Sequence, residues 1–240
     1  MPRLMPVRPT RWIARGVPFV LWLVSVALLL FPTRIQAAYD GDLRIWNEFM
    51  WRQFRTEDWT SYFWSELRWV DDGSYLGTWV AQQKFYHQLN PSWKLGFGGA
   101  WIDVEKNGGP GNRLARFELE LNRLWKLTDH SDLGLRNRLE TRWWKKSGDK
   151  TELVSRHRFT YSHAANWFGT MDRAECSNEF FIGYSGEGFF ENRFRPINLR
   201  FKLNEKDRGN VFLQVRSLRV GAIDRDWQHA YIIGFGIRFN

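Results

Sequence analysis

The sequence predicts an all-β fold, a transmembrane up-and-down antiparallel β-barrel of about 10 or 12 strands behind a cleaved signal peptide. Three observations carry that expectation. The chain opens on an arginine-rich, then apolar segment; its remainder alternates with period two, and the polar side is nearly continuous arginine and glutamate; tryptophans gather at the ends of the alternating segments.

The opening segment comes first in the argument because it changes every later count. Met1 to Gly16 holds Arg3, Arg8, Arg11 and Arg15 with no acid and leads into the apolar run Val17 to Phe31. A helix that stays in a bilayer needs about 20 apolar residues, whereas an export signal needs about 7–15 before a small-residue cleavage site. Residues 17–31 fit the shorter class. Ile35 and Ala37 can fill the two signal-peptidase pockets, placing the cut after Ala37. The competing reading is an uncleaved anchor. The expected organisation is therefore 1–37 signal peptide and 38–240 barrel, with 38–41 as a lead, exported through a Sec-type signal to the cell outer membrane.

Of 35 basic residues, five arginines fall in that signal against none of the 26 acids, so the net charge drops from +9 to +4 in the mature chain. Export accounts for much of the basic excess, and nothing in the chain points to nucleic acid. A single cysteine, Cys176, gives no disulfide framework. Its parity is shared with Asn178 and Phe180, which suits a small packed side chain.

The alternation is clearest from Arg113 onward. Ala115, Phe117, Leu119, Leu121 and Trp125 interleave with Arg116, Glu118, Glu120, Asn122 and Lys126. Leu133, Leu135, Leu139 and Trp143 then oppose Arg136, Arg138, Glu140 and Arg142, and Tyr231, Ile233, Phe235, Ile237 and Phe239 close the chain. Helical spacing would mix these sets; a strand separates them. Segments near 42–53, 58–70, 75–89, 93–104, 113–127, 132–145, 151–163, 174–185, 189–204, 209–220 and 227–239 read as strands, which is eleven. Bacterial single-chain barrels have even strand numbers with both termini periplasmic, so one element is expected to be wrong, through the first strand or a hidden turn around 164–173. Asn90-Pro91-Ser92 and Thr128 to Asp132 read as short turns, and glycine-rich Glu105 to Asn112 reads as a longer outer loop. At Pro196 the apolar parity slips from Phe190 and Phe194 to Ile197, Leu199, Phe201 and Leu203, which predicts a β-bulge.

A soluble sandwich also alternates, but it buries its large aromatics and leaves its charges in water. Here Trp51, Trp59, Trp69, Tyr75, Trp79, Trp93, Trp101, Trp125, Trp143 and Trp227 lie at or near strand ends, where two aromatic girdles would meet lipid headgroups. That pattern favours a membrane wall over a periplasmic lipocalin-like barrel and makes outer-membrane lipid and the barrel insertion machinery the expected partners.

The run Leu133-Gly-Leu-Arg136-Asn-Arg138-Leu-Glu140-Thr-Arg142, with Arg156-His-Arg158, Asn178-Glu179, Glu191-Asn192-Arg193, the closing strand His229 to Phe239 and the early Trp46-Asn47-Glu48, resembles the uncharacterised outer-membrane barrel family catalogued as domain of unknown function 2490. The similarity spans residues 42–239. It implies an outer-membrane barrel and no activity. The chain departs from many such barrels by ending Phe239-Asn240 rather than on the aromatic.

The candidate chemistry is the charge ladder Glu118, Glu120, Arg136, Arg138, Glu140, Arg142, Arg156 and Arg158, extended by Glu179 and Arg193. A turn centred near His130 places Glu118 opposite Arg142; one near Gly148 places Glu140 opposite Arg156 and Arg138 opposite Arg158. Such pairs fix register and can fill a narrow lumen, which describes a plugged structural or assembly barrel. Arginine nevertheless outnumbers glutamate, and guanidinium groups on a pore wall favour a small anionic solute, so a narrow anion-preferring pore or ligand barrel is the leading expectation. The third reading, an outer-membrane lipid hydrolase, would use Ser155 and His157 on the outward parity. Residues two apart on one strand stand about 7 Å apart, beyond direct hydrogen bonding. His87, His163 and His229 read as interfacial residues. No metal-ligand, cofactor or serine-hydrolase spacing appears.

Overall fold

The alternation becomes a closed barrel in the computed structural model, which describes residues 41–240 apart from 107–108, 146–149, 166–168, 187 and 221–225. The expected export signal lies outside the described residues. The strands are β1 (Asp42–Arg55), β2 (Trp59–Val70), β3 (Tyr75–Asn90), β4 (Trp93–Lys106), β5 (Gly109–Lys126), β6 (Ser131–Lys145), β7 (Thr151–Ala164), β8 (Met171–Gly183), β9 (Gly188–Lys202), β10 (Arg208–Val220) and β11 (Asp226–Phe239). Each is antiparallel to its neighbour in sequence, and β1 pairs in parallel with β11 from Asp42↔Ala230 to Trp51↔Phe239. Lengths run from 12 residues in β2 to 18 in β5, beyond what a tilted membrane crossing needs.

The strand number corrects the expectation of 10 or 12. Among the described residues there are eleven, because the even-number rule assumes that first and last strands meet antiparallel. A parallel seam supplies evenly spaced backbone hydrogen bonds instead and closes an odd number. Of the two suspect stretches, β1 pairs with β2 from Ile45 to Arg55, and in the second β7 runs to Ala164 and β8 starts at Met171, with 166–168 outside the described residues. The expected long loop at 105–112 is mostly strand, with β4 and β5 continuing to Lys106↔Gly109.

The bulge expected at Pro196 is present. Asn198 pairs with Glu175 but Arg195 with Ser177, and Ile197 pairs with Leu213 but Phe194 with Val215. The extra residue reverses parity, which keeps Phe194 and Ile197 both exposed while Arg193 and Asn198 both face inward.

Outward positions are Phe, Leu and Trp. Trp51 and Trp59 ring one end, and Trp79, Trp101 and Trp143 ring the other, all among the exposed large side chains. Trp51 packs on Phe239 with centroids 5.1 Å apart, and Trp59 stacks on His87 at 4.6 Å. Inward positions hold the glutamates, the arginines and two apolar clusters: Val80, Ala100, Ile102 and Leu114, with Val104 and Trp144 against them, and Trp46, Phe212 and Ile232.

Candidate functional site: a charged lumen with an aromatic floor

The charge ladder folds onto the lumen face, as its parity requires, but in a register two residues from the expected one. The β5/β6 turn is centred on Asp129, with Lys126↔Asp132 as its last pair, and the β6/β7 register, ending at Trp143↔Thr151, is likewise offset from the expected one by two residues. Moving a turn centre by one residue moves cross-strand partners by two, so faces are kept while pairings change. The pairs are therefore Arg116↔Arg142, Glu118↔Glu140 and Glu120↔Arg138, then Arg138↔Arg156 and Arg136↔Arg158. The expected oppositions Glu118–Arg142, Glu140–Arg156 and Arg138–Arg158 do not form.

Three of these pairs oppose arginine to arginine and one glutamate to glutamate, while Glu120↔Arg138 joins opposite charges, so most attractive contacts reach between rows. Arg138 reaches Glu118 and Glu140 at 3.2 Å each and also binds Glu120. Lys84 donates to Glu120 at 2.8 Å and lies 2.6 Å from Glu118. Glu140 accepts from Arg142 and Arg156 at 2.6 Å each, with Arg116 3.7 Å away. Glu179 accepts from Arg136 at 2.6 Å, Arg158 at 2.7 Å and Arg156 at 3.1 Å. Glu118, Glu140 and Glu179 are wholly buried. Removing charges from water costs several kcal/mol per ion, so such groups persist only with dense, well-directed partners.

Arg193 joins a second arrangement that parity alone did not reveal. It holds Glu191 at 2.6 Å, and its guanidinium carbon lies 4.5 Å from the centre of the Phe181 ring and 5.4 Å from that of Trp46. Arg156 covers Phe181 from the β7 side at 4.3 Å, and Arg68 covers Trp46 from the β2 side at 4.5 Å. The result is a stack, Arg156·Phe181·Arg193·Trp46·Arg68, running from β7 to β2. Cation–π contacts of this kind contribute more once desolvated. The available signal was the presence of Trp46, Val80, Phe181 and Phe212 on the polar parity of their strands.

Above the stack the lumen is hollow. A cavity of about 600 Å³ runs from the β3/β4 turn, at Pro91, Ser92 and Lys94, down to Trp46, Val80 and Arg156. Toward the opposite end Asp42, Ile102, Leu114 and Val154 are buried and lie outside its lining. Thirteen lysines and arginines line it against four glutamates. Counting the four buried glutamates behind the wall, Glu118, Glu140, Glu179 and Glu191, the lining remains basic.

The outward pair weighed for lipid chemistry separates. Ser155 accepts from the Tyr184 hydroxyl at 3.2 Å, whereas His157 bonds Asn137 at 2.8 Å. Ser–His contacts form instead across strands, Ser131 to His163 and Ser217 to His229, each at 2.9 Å through Nδ1. Cys176 is half-buried and unbridged.

A family model described as "Protein of unknown function (DUF2490)" matches residues 43–222. One solved structure, titled as the NanC porin in a rhombohedral crystal form, aligns at 14% sequence identity over 83% of this chain and 98% of that chain, with a TM-score of 0.46. No curated protein matches.

Proposed function

The chain belongs to the DUF2490 family of proteins of unknown function, and from that premise we propose that it is an outer-membrane barrel whose lumen takes up a small anionic solute from one end. The observation that carries this reading is the 600 Å³ cavity, open at the β3/β4 turn and lined by far more guanidinium and ammonium groups than carboxylates. That volume suits a small organic ligand, and basic walls in a confined space favour anions. The outward belt of Phe, Leu and Trp supports membrane residence, with indole and phenol groups suited to the headgroup region. Export by the N-terminal signal and delivery through the barrel insertion machinery complete the proposal. The aromatic stack and the apolar clusters beneath it favour a cup over a through-pore.

The test is dye binding by protein refolded in detergent, followed by fluorescence anisotropy. A trisulfonated aminonaphthalene should bind and be released by salt, and a cationic dye of similar size should not; equal binding of both, or of neither, overturns the reading. Planar-bilayer conductance separates the alternatives. Silence together with dye binding supports the cup, whereas discrete anion-selective steps move the assignment to a narrow pore. A protein that neither binds nor conducts is a plugged structural barrel, and fatty-acid release from vesicles would establish the hydrolase.

A further inference from the structure

Across β6, β7, β8 and β9 one hydrogen-bonded row reads Arg136, Arg158, Glu179, Arg193. Arg136 and Arg158 stand directly opposite each other, an arrangement that is unfavourable for like charges unless an anion lies between them. Glu179 supplies one, spending Oε1 on Arg136 and Oε2 on Arg158, but it is also bound by Arg156. Arg156 is held more closely by Glu140, at 2.6 Å, so within the row the one carboxylate of Glu179 answers the two guanidinium groups of Arg136 and Arg158. The Nε atoms of Arg136 and Arg158 are buried and find no acceptor. Within this group Glu179 is sealed at 1% side-chain exposure, while Arg136 and Arg158 keep 21% and 25% and line the cavity. Geometry and charge together leave a two-guanidinium clamp turned toward the cavity, its own counter-ion behind it.

We propose that Arg136 and Arg158 form the subsite for a doubly charged oxyanion group, a phosphate monoester, on the solute that the cup receives. This rests on the cup reading and deepens it. Two planar guanidinium forks on adjacent strands can each donate to a different oxygen of a tetrahedral group, and a dianion compensates the surplus charge that Glu179 leaves. Because both side chains face the lumen, the ester arrives from water and not from the lipid around the wall.

The experiment is calorimetric titration of the refolded full-length protein at pH 8 with phenyl phosphate and, separately, phenyl sulfate, which has the same shape and one charge fewer. Phenyl phosphate should bind at least tenfold more tightly. Arg136→Gln or Arg158→Gln should weaken it roughly tenfold, the size of one charge-assisted hydrogen bond, and Arg158→Lys should weaken it less. Glu179→Gln should tighten it, since it removes the competing anion; a purely structural role for the row predicts weakening instead. Should the glutamine variants fail to fold, the phosphate-to-sulfate ratio of the unmodified protein carries the test alone. Equal affinity for the two esters, indifference to both arginine substitutions, or weakening by Glu179→Gln overturns the proposal. Displacement of phenyl phosphate by dilute phosphatidic acid in the micelle would assign the site to a headgroup and overturn the soluble source. If the sulfonated dye still binds while the esters do not discriminate, only the subsite fails; if the dye does not bind either, the cup fails with it.

Discussion

The guanidinium of Arg193 lies over the ring of Trp46, 5.4 Å from its centre, and over that of Phe181 at 4.5 Å. The contact bridges β9 to β1 and β8 at the inner end of the cavity, where the proposed cup has its floor. Removing both rings should therefore open a path. Trp46→Ala with Phe181→Ala is expected to convert a silent barrel into one with discrete conductance steps in planar bilayers, and Phe181→Ala alone to cost about 3–5 kcal/mol of stability. Equal silence from the folded double variant would place the closure elsewhere.

Glu140 is the most heavily shared carboxylate of the lattice, held by Arg142 and Arg156 at 2.6 Å with Arg138 and Arg116 nearby. Glu140→Gln leaves those guanidinium groups buried beside a neutral amide, and breaking a buried pair costs about 3–5 kcal/mol. The urea midpoint of unfolding in detergent should fall accordingly. By contrast Lys126→Ala, which removes an ion pair to Asp129 with both side chains in solvent, should leave the midpoint unchanged.

The packing of β11 against β10 depends on Gly234, a residue without a side chain. A Cβ at Gly234 would fall inside the ring of Phe212, which is fully buried against Trp46 and Ile232. Gly234→Val should destabilise the barrel by about 1–3 kcal/mol through overpacking. Heat-modifiable migration on a gel would register this as loss of the compact band at lower temperature, and Phe212→Ala in the same chain should restore part of it. A double variant no better than the single would mean that the ring is not the obstacle.

At the end of the chain Asp207, in the turn between β9 and β10, accepts from the side chain of Asn204 at 2.8 Å and from the backbone N–H of Asn240 at 3.0 Å. Those donors, the Asn204 amide first, hold its carboxyl below the ordinary aspartate range. A depressed carboxylate adds stability that is complete above its unfolded value of about 3.9 and is lost as pH falls through the folded value. Exchange of the Asn240 amide should therefore stay protected at pH 5 and accelerate, beyond the intrinsic pH trend, only in stronger acid. Asp207→Ala should abolish that protection at every pH.

The sequence by itself determined the wall: which residues face inward, where most strands begin and end, and that Pro196 interrupts one of them. All of these follow from the two-residue period and from the missing N–H of proline, which are local properties. Every residue of the ladder from Glu118 to Arg193 is inside because parity survives any even shift of register. What parity cannot supply is the register itself, since Arg136 opposite Arg158 and Arg138 opposite Arg158 satisfy the same alternation and differ only in where a turn is centred. The odd strand number escaped for a related reason: β1 and β11 are far apart in sequence, and the direction in which they meet is decided only when the sheet curls shut. The stack through Trp46, Phe181 and Arg193 likewise joins residues from three strands. Only closure brings those strands within reach, and only closure gathers thirteen lysines and arginines around one cavity.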